Sequence, residues 1–204
     1  MKWTGLALLL AIGLVAGSAQ MPAGPRLSPQ QYQVGCHTTS GDFTIAVHRE
    51  WAPHGADRFY ELVASGYYSG NALYRVIAGF VAQWGLSPNP ADSARWRKKP
   101  IPDDAVAHSN LAGTIAFAAN GPRSRTAEVF INLRDSKQLD KLGFAPFGEV
   151  IGGMDTVREF SSAYGDGPPH GHGPDPRLVF SQGAAYWTAH FPRLDVIYYC
   201  RVLP

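Results

Sequence analysis

The chain has 204 residues, of which 45% are hydrophobic and 17% charged. This length suits a single domain that can bury a core without additional staples. The 18 Lys and Arg nearly balance the 16 Asp and Glu, so the net charge of +2 creates no extended field that would attract nucleic acid or an anionic membrane.

Residues 1–19 have the pattern of a signal peptide. Lys2 provides a basic start, residues 6–15 form an apolar run, and residues 17–19 are the small residues that a signal peptidase recognises. The run is too short for a stable transmembrane helix. We therefore expect cleavage near Ala19 and export to the periplasm or out of the cell, with no membrane attachment afterwards. The alternative is an uncleaved anchor.

Residues 20–31 are rich in Pro, Gly and Gln, and we predict a flexible segment there, before a domain that spans residues 32–204. Apolar residues alternate in residues 32–39 and 43–48 around a Ser-Gly-Asp turn, which predicts a β-hairpin. Apolar residues at helical spacing then predict a helix over residues 53–66, with Pro in its first turn and Gly as its stop.

Further short elements follow along the chain. Apolar and β-branched segments predict more strands, at residues 73–84, 113–119, 129–133, 147–150 and 194–201. A second helix is predicted at residues 155–160 and one helical turn at 184–190. We predict a solvated loop for the basic run at residues 95–99, which is flanked by prolines. A Gly- and Pro-rich insertion spans about residues 164–182, and we predict no regular element for its residues 164–176. Many short strands without βαβ alternation predict a mainly β chain that forms a closed antiparallel barrel capped by two α-helices.

The chain has two cysteines, Cys36 near the start of the predicted domain and Cys200 near its end. In an oxidising compartment such thiols commonly pair, and a bridge here would close almost the whole chain. Two independent buried thiols are the alternative.

Motifs of the common hydrolases and nucleotide-binding proteins are absent from the sequence, which has no Gly-x-Ser-x-Gly, Gly-Lys-Ser/Thr or His-Glu-x-x-His pattern. His170 and His172, with Asp166 and Asp175 nearby, could contribute to a metal site, but such a site needs three or four ligands. A flexible loop is the favoured interpretation, and we expect neither a metal nor a cofactor.

Arg75 is the one charge in residues 73–85, LYRVIAGFVAQWG, within an otherwise apolar strand pattern. Arginine is almost never fully buried without a partner. A structural ion pair at the rim of the barrel is one interpretation, and a functional cation is the other.

Three blocks of sequence around and after Arg75 favour the functional cation. The first runs from FYELV at residues 59–63 through GYY at 66–68 to YRVIAGFVAQ at 74–83. The second contains GTIAFA at 113–118, GP at 121–122 and VFI at 129–131, and the third contains LD at 139–140, FGEV at 147–150 and GGMD at 152–155. In order and spacing, these blocks resemble the cyclophilin family of peptidyl-prolyl cis/trans isomerases, and the later insertion is similar to that of a bacterial cyclophilin-like subgroup.

The resemblance implies an eight-stranded antiparallel barrel with two capping helices, in which the first and last strands are neighbours, which supports a bridge between Cys36 and Cys200. It implies an isomerase that accelerates rotation about X-Pro bonds in the folding of exported proteins. The expected partners are proline-containing segments of client proteins. We expect a monomer.

By position, the resemblance also assigns site residues. Arg75 matches the catalytic arginine, and Gln83 a polar residue that supports it. The apolar pocket for the proline ring corresponds to Phe80, Val81, Phe130 and Phe144. Ala118 and Ala119 match the groove for the residue before proline. We expect Phe80 and Phe130 to pack in the core as well as to line the site.

Several groove positions depart from the family pattern. Glu128 stands where the family has Gln, Gln138 where it often has Trp, and Trp84 where it has Gly. We expect Trp84 to narrow the site. A Glu128 carboxylate that reached Arg75 would hold the guanidinium but compete with substrate, which predicts a slower enzyme. The alternative function is a catalytically weak module, or chaperone, that binds Pro-containing peptides in the same groove.

Overall fold

The structure, a computed structural model, describes Met1 and residues 27–204. The predicted signal peptide, apart from Met1, and most of the segment 20–31 therefore lie outside the described residues. Ser28 donates from its backbone N–H and its hydroxyl to Asp57 Oδ1, both at 2.9 Å, and the first strand begins at Gln31. None of the helices in the described part of the chain has the length and apolarity needed to cross a bilayer.

In the described part of the chain, nine antiparallel strands form one sheet in the order β3-β9-β1-β2-β8-β6-β7-β5-β4. The strands are β1 (Gln31–Thr38), β2 (Gly41–His48), β3 (Asn71–Ala72), β4 (Arg75–Ile77), β5 (Val81–Trp84), β6 (Thr114–Phe117), β7 (Val129–Asn132), β8 (Pro146–Gly152) and β9 (Val196–Val202). This confirms the mainly β architecture and the predicted hairpin of β1 and β2, in which Cys36 lies opposite Phe43.

The expected closed barrel of eight strands differs from this sheet in one place. The two end strands, β3 and β4, are joined by only Leu73 and Tyr74, so the sheet must curl back until its ends meet. β3 pairs with β9, whereas β4 pairs with β5. Residues 71–77 thus act as one interrupted strand between two neighbours. Counting them as one gives eight strands, and the interruption leaves the ladder of hydrogen bonds open there.

The single strand predicted over residues 73–84 is wrong, because this segment is a tight hairpin of β4 and β5. Gly79 at its tip has a φ of +64°, a conformation that residues with a Cβ rarely adopt. Phe80 N–H donates to the Ile77 carbonyl across the turn at 2.9 Å. The turn places Arg75 and Gln83 opposite each other.

Within residues 27–204, five α-helices and one 3₁₀ helix accompany the sheet, rather than two helices. They are α1 (Pro53–Ala64), α2 (Pro90–Arg97), the 3₁₀ helix (Lys137–Leu142), α3 (Met154–Glu159), α4 (Pro176–Gln182) and α5 (Ala184–His190). The helices α1, α3 and α5 follow the sequence prediction. Residues 95–97 of the predicted loop at 95–99 instead form the end of α2, and α4 lies in the insertion. Both helices begin with Pro after a capping side chain, from Asn89 or Asp175, which is a favourable start.

The main core lies inside the curled sheet and against α1. Its largest fully buried side chains include Trp84, Phe43, Phe59 and Phe147. Cys36 and Cys200 lie opposite each other in β1 and β9 and form a disulfide, so the pairing implied by the resemblance is present.

A second apolar cluster attaches the insertion to the barrel. Val179 of α4 and Trp187 of α5 are buried against Tyr74, the residue before Arg75, together with Leu86 and Leu194. The insertion is therefore a packed part of the domain, and it lies beside the β4–β5 hairpin.

Candidate active site

Arg75 and Gln83 face each other across the β4–β5 hairpin. Arg75 Nη1 donates to Gln83 Oε1 at 3.1 Å. The Arg75 side chain is 24% exposed, so it is half-buried with its charged end open to a groove. Arginine stays protonated under all ordinary conditions, which makes it a fixed cation at this position.

An apolar cavity of about 240 Å³ lies beside the guanidinium. It brings together most of the residues that the sequence assigned to the site, and it is lined by Arg75, Phe80, Val81, Gln83, Ala118, Ala119, Phe130, Leu139 and Phe144. Phe130 and Phe144 meet edge to face, with ring centroids 5.6 Å apart. Leu139 is the lining residue that the sequence analysis did not assign, although it lies in the third sequence block.

Glu128 does not contact Arg75, so the expected competition for the guanidinium is not formed. Its Oε2 accepts hydrogen bonds from the hydroxyl of Tyr74 and, at 3.2 Å, from Gln83 Nε2. Gln83 Nε2 also donates to the Tyr74 hydroxyl at 2.6 Å. Loss of hydration raises the pKa of Glu128 despite these two donors. Glu128 therefore fixes the amide of Gln83 and acts on Arg75 only through it.

Asp166, in the insertion, is the carboxylate that pairs with Arg75. Arg75 Nε donates to Asp166 Oδ1 at 2.7 Å, and Arg75 Nη2 donates to Asp166 Oδ2 at 3.0 Å. These hydrogen bonds and the charge of Arg75 hold the pKa of Asp166 below its usual value. Sequence reasoning placed Asp166 only in a possible metal site. Asp175, the other carboxylate of that site, instead binds Arg177 at 2.7 Å.

A second cavity, of about 610 Å³, lies between the barrel and the insertion. Arg75, Gln83, Ala118 and Ala119 line both cavities. Glu128 and Asp166 line only the larger one, together with residues such as Pro168 and His170 of the insertion. The guanidinium thus lies at the boundary between a small apolar cavity and a larger polar one.

Trp84 and Gln138, two residues predicted to lie in the groove, line neither cavity. Trp84 was expected to narrow the site, but it is fully buried in the main core, edge to face with Phe43 and Tyr68. Successive side chains of a strand point to opposite faces, so the cavity side of β5 takes Val81 and Gln83 while Ala82 and Trp84 enter the core. Gln138 is exposed on the 3₁₀ helix and lines neither of the two cavities, because its neighbour Leu139 points inward instead.

Comparisons with known proteins show the family to which the chain belongs. The family model of cyclophilin-type peptidyl-prolyl cis-trans isomerases matches residues 33–175. Peptidyl-prolyl cis-trans isomerase 10 of Caenorhabditis elegans is 34% identical over 135 residues, which cover 63% of this chain and 81% of that protein. Peptidyl-prolyl cis-trans isomerase B of Escherichia coli is 34% identical over 130 residues, covering 59% and 79% respectively.

Solved structures show the same fold. The crystal structure of a cyclophilin-type isomerase of Cryptosporidium parvum superposes with a TM-score of 0.61 at 20% identity, covering 85% of this chain and 98% of that one. A structure of that isomerase in the presence of the dipeptide Ala-Pro gives a TM-score of 0.60. The chain belongs to the cyclophilin-type peptidyl-prolyl cis-trans isomerases. The matched segment ends before α4 and α5, so the family model does not describe these two helices.

Proposed function

We propose that this isomerase uses Arg75 as its catalytic residue and the 240 Å³ cavity as the pocket for the proline ring of an X-Pro segment. The observation that carries the proposal is the position of a fixed guanidinium on the wall of a small cavity lined by seven apolar side chains that include three phenylalanines. Binding of an apolar ring in such a cavity is favourable because it removes the surface of the ring from contact with water. A peptide bond to that ring then lies within reach of the cation.

The chemistry follows from the peptide bond itself. Its partial double bond makes a barrier of roughly 18–20 kcal/mol to rotation. Twisting the bond localises a lone pair on the prolyl nitrogen, which becomes an acceptor in the twisted state alone. A guanidinium N–H that donates to this nitrogen stabilises the twisted state more than either planar isomer. This is differential binding of the transition state by a preorganised cation.

The remaining residues of the cavities hold the peptide. Gln83 keeps the guanidinium in place and offers its amide at the boundary of the two cavities. Ala118 and Ala119 leave room for the residue before proline, since their side chains are short. Glu128 accepts a hydrogen bond from the amide of Gln83 and is assigned to the site through that contact.

The proposed substrates are proline-containing segments of proteins that fold outside the cytoplasm, and the protein itself acts there as a monomer. The signal-like pattern of residues 1–19 supports this location. The Cys36–Cys200 disulfide also supports it, because disulfides persist in oxidising compartments. A cell-fractionation experiment on the full chain tests the location, and recovery of uncleaved protein from the cytoplasm would contradict it.

The activity assignment is tested by steady-state isomerisation of an Ala-Pro tetrapeptide. Arg75→Ala should lower kcat/KM at least a hundredfold, a loss of about 2.7 kcal/mol in transition-state stabilisation. Arg158→Ala is a matched control, since Arg158 is an exposed arginine of α3 that lines neither cavity. Equal activity of Arg75→Ala and wild type would refute the assignment.

A further inference from the structure

We propose that Asp166 is a positioning residue of this isomerase, through which the insertion controls the orientation of Arg75. The inference rests on the proposed role of Arg75 as the catalytic residue. It concerns a carboxylate that lies 91 residues along the chain from its partner, in a segment outside the three sequence blocks.

The two hydrogen bonds from Arg75 to Asp166 fix the plane of the guanidinium. They use Nε and Nη2, so one whole edge of the fork is occupied by the carboxylate. Gln83 takes one N–H of Nη1. Of the five N–H groups of Arg75, two therefore remain without a partner among residues 27–204, one on Nη1 and one on Nη2. Arg75 is held from the barrel by Gln83 and from the insertion by Asp166, with two donors left for a substrate.

Asp166 is itself held by the backbone around it. Gly165 forms a β-bridge with Val76, the residue after Arg75, which places Asp166 beside the guanidinium. Gly167 N–H donates to Asp166 Oδ1 at 2.9 Å, and Gly173 N–H donates to the Asp166 carbonyl at 2.8 Å. A Cβ on Gly171 would come within 2.2 Å of that carbonyl oxygen. The Gly-rich loop is therefore closely packed around Asp166 and fixes it in place, which the flexible loop expected from composition would not do.

The position of this loop depends in turn on α4 and α5. Asp175 caps α4 directly after the loop, and Val179 and Trp187 pack against Tyr74. Tyr74 precedes Arg75 and also donates to Glu128. The insertion thus contacts the hairpin of Arg75 through an apolar cluster on one side and through the Asp166 ion pair on the other. Folding of the insertion and orientation of Arg75 are coupled.

The test uses Asp166→Asn and Asp166→Ala in the full chain, with isomerisation kinetics and NMR spectra that detect the Arg75 Nε–H. Asp155→Asn is the matched control, because it removes one exposed carboxylate paired with an arginine at 3.0 Å on α3. We expect both Asp166 variants to lose about tenfold in kcat with little change in KM, and to lose the protected Nε–H signal, while amide spectra show an intact fold. Asp155→Asn should match the wild type in each respect.

Two other results would overturn the inference. A kcat equal to that of the wild type would show that Asp166 does not position Arg75, and a raised kcat would show that it competes with substrate instead. These outcomes are distinct from failure of the proposed function, because that failure requires Arg75→Ala to remain fully active. If Asp166→Ala is unfolded, the isosteric Asp166→Asn alone decides.

Discussion

Arg75 and Gln83 are directly opposed residues of the β4–β5 hairpin, and the guanidinium of one donates to the amide oxygen of the other at 3.1 Å. The two residues are eight positions apart in the chain and lie opposite each other because the turn at Gly79 reverses the chain direction. The pairing of Arg75 with Gln83 is therefore set by one local element. Their register does not depend on distant parts of the fold.

Replacing Gln83 by Leu should lower kcat about tenfold with a smaller effect on KM. The substitution removes the acceptor of Arg75 Nη1 and leaves Glu128 and Tyr74 without their amide partner. Gln138→Leu is the matched control, because Gln138 is exposed and lines neither cavity. Steady-state kinetics on an Ala-Pro peptide measure both, and an unaffected Gln83→Leu enzyme would exclude a supporting role for this amide.

Phe80→Ala should raise KM more than it lowers kcat. Phe80 lines the small cavity and is only partly buried, so its removal takes contact area from the proline ring without opening the main core. We expect an increase in KM of about tenfold, ~1.4 kcal/mol. Leu142→Ala, at a side chain 68% exposed, should change nothing. If KM stays constant in Phe80→Ala, the proline ring does not bind in this cavity.

Glu128→Gln should leave kcat/KM within about threefold of the wild type, a change below ~0.7 kcal/mol. The reason is that Glu128 contacts Tyr74 and Gln83 and not the guanidinium, and a glutamine oxygen can accept both hydrogen bonds. A larger gain in rate would restore the hypothesis that this carboxylate competes for Arg75.

The same variant should change how stability depends on pH. Burial raises the pKa of Glu128 in the folded chain, whereas in the unfolded chain Glu128 has its ordinary pKa of 4.5. As the pH rises above about 4.5, the unfolded chain therefore releases the Glu128 proton before the folded chain does. The free energy of unfolding therefore falls as the pH rises from about 4.5, and Glu128→Gln removes this loss. Denaturant unfolding should show a larger stability gain for the variant at pH 7 than at pH 4. An equal difference at both pH values would contradict this.

The double variant Cys36→Ala with Cys200→Ala should be less stable than the oxidised wild type. The disulfide joins residues 164 apart in the chain, and loop entropy values such a closure at about 5 kcal/mol. Neither cysteine lines either cavity, so kcat/KM should be retained under conditions where the variant is folded. Urea unfolding with and without reductant measures the stability, and an unchanged midpoint would contradict the estimate.

Much of this site could be predicted from the sequence because its residues lie in short contiguous blocks. Arg75, Phe80, Val81 and Gln83 belong to one hairpin, so their order along the chain already fixes their proximity. The buried position of Trp84 was also available from the sequence, since strand alternation sets it on the face opposite Gln83. The expectation that Trp84 narrows the site followed from its place next to Gln83 in the chain and not from this alternation.

The carboxylate that pairs with Arg75 could not be predicted from the sequence in this way. Asp166 is brought to the guanidinium by the β-bridge of Gly165 with Val76, a contact between distant segments without a periodic pattern. Composition predicted a flexible loop there, although the glycines serve close packing. The helices α2 and α4 were missed for a related reason. The prolines of these segments favour a loop by composition, whereas in the first turn Pro is compatible with a helix.

The most direct test of the account separates catalysis from binding. Exchange NMR on an Ala-Pro peptide at saturating concentration measures the rate of cis–trans interconversion on the protein, and titration measures Kd. Arg75→Ala should show a catalysed exchange rate at least a hundredfold lower than that of the wild type, with Kd within about threefold. Exchange at the wild-type rate in Arg75→Ala would contradict it, and so would a wild-type protein that binds the peptide without accelerating its exchange.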